Sequence, residues 1–274
     1  RDRLRSRGLG DVYKRQDVSL QSEMETVRAI NKECEKQGKR HKIILMMDLG
    51  DIREGYVDEE ELIAAAVETE KLSRVDLYGI GTNLTCFSFI QADEEKMERL
   101  AEMRKKVENA AGHTLEIVSG GNSAALDLMM RGGICEGVDN FRLGESLLFG
   151  KERSRYTFLP GTRNDGFILE CEVVEAKVKP SLPWGTAGVD SYGRKPVFTN
   201  RGEKRKKVIC AIGRQDFDAE TATPVDEGIL ILGASSDHLM LDVTDSVKEY
   251  KVGDIVELRL GYFSVLRAFT SPYV

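Results

Sequence analysis

From Asp17 onward the chain alternates between two hydrophobic periods. Val18–Leu20 reads as a short strand, and Met24, Val27 and Ile30 then mark one face of a helix. Ser22 and Glu25 are spaced as a capping box at its start, and Gly38 closes it. Lys42–Met47 is a continuous apolar run, as in a strand buried on both faces. Asp58–Leu72 reads as a helix with acidic residues in its first turn, and Val75–Gly81 as the next strand. Asp93–Ala110 places Met97, Leu100, Met103 and Val107 on one helical face. Leu115–Val118 is a strand, Ala124–Met130 opens a helix, Val138–Leu143 is another strand, and Ser146–Phe149 ends the series.

Strand and helix thus alternate about five times. This predicts parallel strands joined by right-handed helical crossovers, in either a β/α barrel or a doubly wound sheet. Charges, Pro160 and Gly161 mark a linker within Lys151–Asn164, and the helical period then disappears. Phe167–Val178, Lys207–Ile212, Gly228–Leu232, His238–Val243 and Asp254–Leu260 read as strands divided by turn residues. The chain is therefore expected to hold an α/β domain over residues 17–160 and a mostly antiparallel β domain over 161–274.

Composition narrows the function classes. The 274 residues are 41% hydrophobic, enough for a sizeable core, and no apolar run is long enough to span a membrane. A net charge of −6 without a basic stripe argues against nucleic acid as the main partner. Five scattered cysteines and no CxxC pair predict reduced thiols and a cytoplasmic protein, and three separated histidines make no metal pattern. Residues 1–16 differ: they are basic and aperiodic, carry +4, and leave −10 for the rest. They read as a non-native leader and are set aside from the fold.

The residues that could do chemistry follow the strands, at Asp48–Gly55, Thr82–Thr85, Gly120–Ser123 and Arg142–Glu145. In either architecture this is the rim that carries the site. In Ser119-Gly120-Gly121-Asn122-Ser123-Ala124-Ala125-Leu126 an apolar strand meets glycines and then a helix start. Backbone N–H groups and a hydroxyl collected in this way suit a phosphate, although glycine and asparagine also serve turns on their own account.

Taken together, these motifs resemble the alanine racemase-like family of fold type III pyridoxal-phosphate enzymes, and within it the ornithine racemase branch. The resemblance runs from Asp17 to the end. It implies an incomplete (β/α)8, or TIM-type, barrel of about five units followed by a β domain. It implies pyridoxal 5'-phosphate as cofactor and a small amino acid as substrate, ornithine or another basic one. It implies a homodimer when the protein is full length. Met47-Asp48-Leu49-Gly50-Asp51-Ile52-Arg53 is similar to the family's Asp-Thr-Gly-Met-Gly-Arg element, which would set Arg53 near the cofactor's phenolic oxygen. Gly79–Thr85 matches the next strand end, with Asn83 where alanine racemases usually carry histidine beneath the ring. Asn122 and Ser123 fall in the phosphate site. Asn140–Glu145 matches the Arg-Pro-Gly element, with Arg142 toward the pyridine nitrogen and the N–H groups of Gly144 and Glu145 toward the phosphate.

In the β domain, Ala234–Val243 is similar to the family's Ser-Met-Asp-Gln-x-Met-Val-Asp element, which makes Ser236 and Asp237 candidates for substrate contact. The family's catalytic tyrosine has no counterpart. Arg214 stands near its place, so Asp216 and Asp237 are the carboxylates considered for proton transfer. Tyr273 resembles a tyrosine that touches the phosphate. The lysine that forms the Schiff base belongs to the family's first barrel strand, and the first strand here resembles the fourth. The resemblance therefore implies an N-terminally truncated, inactive chain. Two other classes remain open at this point: a non-catalytic pyridoxal-phosphate carrier, and an unrelated barrel that binds a phosphorylated ligand.

Overall fold

The computed structural model describes residues 17–189 and 193–274. The leader expected over 1–16 lies outside them. The chain divides into two compact units, with the boundary between Pro160 and Gly161.

The first unit runs β1 (Val18–Gln21), α1 (Met24–Gln37), β2 (His41–Met46), α2 (Glu59–Thr69), β3 (Val75–Gly81), α3 (Glu94–Ala111), β4 (Ile117–Asn122), α4 (Leu126–Met130), β5 (Asn140–Arg142) and α5 (Glu145–Phe149). All five strands are parallel and lie in sequence order, forming an open half-barrel sheet. Each crossover helix starts or stops for a local reason. The Asp58 carboxylate accepts from the Glu60 and Glu61 N–H groups, and that of Asp93 from Lys96 N–H. Gly38 takes the left-handed conformation that ends α1. The capping box expected at Ser22 does not form: α1 starts one residue later than that pattern needs, its N-cap is Glu23, and no side chain caps it.

The core lies between these helices and the sheet, with Val27, Leu62, Met97 and Leu100 packed on Ile43, Leu45, Leu77 and Val118. At Gly79 the backbones of β3 and β4 approach so closely that a Cβ would sit 2.1 Å from the Ile117 carbonyl oxygen. The strand expected to stop at Val118 continues to Asn122, because Ser119 and Asn122 both pair with β5. Ser119-Gly120-Gly121-Asn122 is therefore the end of a strand, and a 3-10 turn, Ser123–Ala125, leads into α4.

The second unit holds β6 (Ile168–Pro180), β7 (Lys204–Cys210), β8 (Ala222–Pro224), β9 (Leu230–Ala234), β10 (Leu239–Asp242), β11 (Ile255–Leu260) and α6 (Tyr262–Ala268). Its six strands form one antiparallel sheet in the order β8-β11-β6-β7-β10-β9. Val173, Cys210, Phe217, Leu241, Val256 and Leu258 make its core. The buried Asp242 carboxylate accepts from Arg205 Nε at 2.8 Å and from Thr244.

Truncating Leu100 to alanine is expected to destabilise the first unit by about 2–5 kcal/mol in urea unfolding, since the fully buried side chain leaves a cavity. A shift under about 1 kcal/mol would contradict this packing. A second prediction concerns pH. Burial raises the Asp242 carboxyl, but the bonds from Arg205 and Thr244 outweigh it and hold it below the usual range. A depressed folded-state value means stabilisation that is present above the unfolded value and lost as pH falls through the folded one. Asp242→Asn should therefore lower the unfolding midpoint at neutral pH, and the gap to wild type should close in acid. A gap that persists unchanged at low pH would show that charge plays no part.

Candidate functional site

The loops after β2, β3, β4 and β5 are tied to one another by side chains. After β2 the chain turns back on itself: Asp48 Oδ1 accepts from the Gly50 and Ile52 N–H groups, and Tyr56 returns to bond Met46 and Asp48. Gly55 closes this turn at φ +124°, where a Cβ would meet the Asp48 nitrogen at 2.6 Å. The buried Asp51 carboxylate accepts from the Phe87 and Ser88 N–H groups at 3.0 and 3.1 Å, which staples this loop to the one after β3.

Arg142 ends β5 and reaches across two strands. Its Nη1 donates to Ser119 Oγ at 2.5 Å and its Nη2 to the Thr82 carbonyl at 2.8 Å. Ser119 Oγ passes the relay on by donating to Asn140 Oδ1. Burial pulls the Arg142 guanidinium below the usual arginine value, yet such a group stays charged at any physiological pH. Beside it Thr82 Oγ1 is buried without a hydrogen-bond partner.

Ser123 and the loop from Gly144 to Ser146 face each other. The buried Ser123 hydroxyl lies 3.0 Å from Ser146 Oγ and accepts from the N–H groups of Ser146 at 3.2 Å and Gly144 at 3.4 Å. Gly121, at φ +123°, and Gly144 both have open space where a Cβ would project. Gly120 does not: Val138, Phe141 and Met97 close on it from the core. The Asn122 side chain joins the strands, since its Oδ1 accepts from Ala124 N–H while its Nδ2 donates to Asn83 Oδ1 and the Leu84 carbonyl. Glu145, which begins α5, pairs with Arg153 at 3.6 Å.

Arg53 is exposed and makes a two-point pair with Glu54, in which Nη2 lies 2.6 Å from Oε1. Asn83 Nδ2 donates to the same carboxylate at 3.1 Å. Burial raises the Glu54 carboxyl, but the bonds from Arg53 and Asn83 win and hold it low. Six of the residues expected from the sequence thus take part in three hydrogen-bonded groups near the strand ends: Arg53, Asn83 and Asn122 with Glu54, Arg142 with Ser119, and Ser123 and Gly144 with Ser146. Glu54, Ser119 and Ser146 were not expected as partners. Glu54 had no pattern of its own beside Arg53, and the hydroxyl partners become visible only when β4 and β5 are paired.

Apart from Glu145, the remaining expected residues belong to the second unit. Gly213 packs so tightly on the Ser236–Asp237 backbone that a Cβ would meet it at 2.3–2.4 Å, which brings the 211–216 loop onto the 235–238 turn. Asp216 is buried, with its carboxylate taking bonds from Ser271 Oγ at 2.7 Å and Gly213 N–H at 3.2 Å. Asp237 is exposed, and its carboxyl is held low by His238 and by the Ser236 hydroxyl. Tyr273 is exposed near the end of the chain, with its backbone N–H bonded to Ser271.

A parallel β/α half-barrel followed in the chain by an antiparallel β unit is the arrangement of the alanine racemase fold, the class to which the comparisons also lead. Residues 7–152 match the family described as alanine racemase, N-terminal domain. The chain is 44% identical over 264 residues to an ornithine racemase of Acetoanaerobium sticklandii, covering 96% of this chain and 74% of that one. It is 39% identical over 258 residues to a lysine racemase of Thermotoga maritima, covering 94% and 71%. Among solved structures it superposes on an alanine racemase of Clostridium difficile with a TM-score of 0.61 at 22% identity, covering 92% of this chain and 64% of that one. The chain belongs to the alanine racemase family.

Cys86 sits at this rim, exposed, with its Sγ 3.2 Å from Asn122 Nδ2. Burial pushes the Cys171 and Cys210 thiols up to about 12. Iodoacetamide is therefore expected to modify Cys86 first and to spare Cys171 and Cys210 until the chain unfolds, as read by peptide mass spectrometry. Early labelling of either buried thiol would contradict this arrangement.

Proposed function

We propose that the chain belongs to a pyridoxal-phosphate-dependent racemase for a basic amino acid, ornithine or lysine. One observation carries this reading: the Ser123 hydroxyl and the Gly144 and Ser146 amides meet where β4 and β5 end, and Arg142 ends β5 with its guanidinium on Ser119 and Thr82. The open space at Gly121 and Gly144, and the unpartnered Thr82 hydroxyl nearby, are what a rim built for a ligand requires. The two relatives at 44% and 39% identity, an ornithine and a lysine racemase, support the substrate class.

The cofactor, when bound, supplies the electron withdrawal that makes the α-proton of an amino acid removable. This chain's residues bind and position it. The amides at Ser123, Gly144 and Glu145 and the Ser123 hydroxyl would hold the phosphate, where N–H donors and a strand-to-helix turn favour an anion. Asn122 keeps that turn in shape by capping Ala124. Arg142 would face the pyridine nitrogen, and because a guanidinium does not give up its proton, it would keep that nitrogen unprotonated. Arg53 would serve the phenolic oxygen and Asn83 the underside of the ring. Ser236 and Asp237 are assigned to the substrate, with the exposed Asp237 carboxylate suited to a distal ammonium. Asp216 is assigned to proton transfer with Asp237, and such a role requires its bonds to Ser271 and Gly213 to open. Tyr273 is assigned to the phosphate. A homodimer in the cytoplasm completes the reading, supported by the resemblance and by the five unpaired thiols.

Titration with pyridoxal phosphate, followed by absorbance, is expected to saturate at one site per chain. Ser123→Ala should weaken binding roughly tenfold, the loss expected for one hydrogen bond to a charged group. Equal affinity in the variant would remove the phosphate assignment. The motifs matched to the family contain no lysine, Lys42 starts β2 at the opposite end, and Lys151 stacks on Tyr156 and Phe158. Borohydride added to the chain with one equivalent of pyridoxal phosphate should therefore mark no single lysine stoichiometrically, only exposed lysines at random and in low yield. Stoichiometric phosphopyridoxylation of one lysine would overturn that expectation and identify the residue. Racemisation is tested on the protein expressed from its genomic reading frame. Loss of optical rotation with L-ornithine or L-lysine supports the reading, and unchanged rotation for every basic amino acid sinks it.

A further inference from the structure

We propose that Glu54 is a positioning residue whose carboxylate fixes both the Arg53 guanidinium and the direction of an amide relay running from Asn83 through Asn122 to the Ala124 N–H. Its effect on the cofactor rests on the reading proposed above; the relay itself does not.

An ionised carboxylate accepts hydrogen bonds and donates none. Glu54 takes three: from Arg53 Nε, from Arg53 Nη2 at 2.6 Å, and from Asn83 Nδ2 at 3.1 Å. Asn83 must therefore turn its NH2 group to Glu54, which leaves its carbonyl oxygen for the other side. There it accepts from Asn122 Nδ2. Asn122, having committed its NH2 group to Asn83 Oδ1 and the Leu84 carbonyl, presents its own oxygen to Ala124 N–H at 2.8 Å. Every amide in the row is oriented by the one before it, and the first is oriented by a group with no proton to offer. The row starts in the loop after β2, passes the end of β3, and finishes at the turn that shapes the phosphate-binding end of β4.

Charge points the same way. Arg53 and Arg142 lie near enough to repel each other, and Glu54 attracts both. It lets two guanidinium groups converge on one small rim, and it is held in its charged form by the bonds it receives. A planar guanidinium gripped at two points is also fixed in orientation as well as in place. Without Glu54, Arg53 is an exposed, freely rotating side chain and Asn83 can flip.

The test uses the full chain as wild type and as Glu54→Gln, Glu54→Ala and Glu54→Asp, with the thermal midpoint of each confirming that it folds. Nitrogen–proton NMR without ligand reads the relay. Glu54→Gln, whose amide donates as well as accepts, is expected to move the side-chain NH2 signals of Asn83 and Asn122 and the backbone amide of Ala124, while Val107 in the core stays put. Unmoved Asn122 and Ala124 signals would overturn the relay. Titration with pyridoxal phosphate reads the consequence. Glu54→Gln and Glu54→Ala should weaken binding about tenfold or more, and Glu54→Asp should recover part of it. Binding by Glu54→Ala within about twofold of wild type would overturn the positioning role. A wild-type chain that binds no pyridoxal phosphate would remove the cofactor reading, and the NMR comparison would still decide the relay.

Discussion

The rim of this protein depends on a charge that cannot be given up. Arg142 ends the last paired strand of the first unit, and its guanidinium is half-buried between the ends of β3 and β4. A buried cation needs acceptors, and here they come from the backbone carbonyl of Thr82 and the hydroxyl of Ser119. Satisfying Arg142 thus fixes three strand ends relative to one another. The glycines around it follow from the same demand. Gly79 and Gly120 let strand and core close up behind the rim, whereas Gly121 and Gly144 keep open the side away from the core.

The parallel half of the fold was legible because buried strands and amphipathic helices write different periods. Ile43–Leu45, wholly buried, could only be a central strand, and Met97, Leu100, Met103 and Val107 all lie in the core as their spacing required. Local chemistry was read less well. Ser22 has the composition of a cap, but α1 is anchored by Val27 in the core and begins one residue further on. Gly120 and Gly121 look like a turn in isolation. They are strand because β5 pairs on both sides of them, a fact about a segment some twenty residues away. In the second unit β8 and α6 went unread. In α6 Phe263 and Leu266 face outward while Ser264 and Ala268 are buried and only Val265 packs on the core as a large apolar residue, so no amphipathic stripe announces the helix.

The site was legible to the extent that its residues sit in motifs. Arg53, Asn83, Asn122, Ser123, Arg142 and Gly144 each follow or end a strand, and the fold gathers them into three hydrogen-bonded groups on one rim. What the sequence could not convey was who holds them. The carboxylate of Glu54, the hydroxyls of Ser119 and Ser146 and the staple from Asp51 act between segments distant in the chain, and none has a periodic or spacing signature. Conversely, Asp216 and Asp237 looked alike as carboxylates in the β domain. One is buried and doubly bonded while the other is exposed beside His238, a difference set by packing alone.

The central claim is that the ends of β4 and β5 form the cradle for the cofactor's phosphate. The most direct measurement is the backbone amide spectrum of the labelled chain with and without pyridoxal phosphate. The account predicts that Gly121, Ser123, Gly144 and Glu145 shift together and saturate at one concentration, with the strand starts of the same sheet silent. Shifts confined to other residues, with those four amides unmoved, would contradict it.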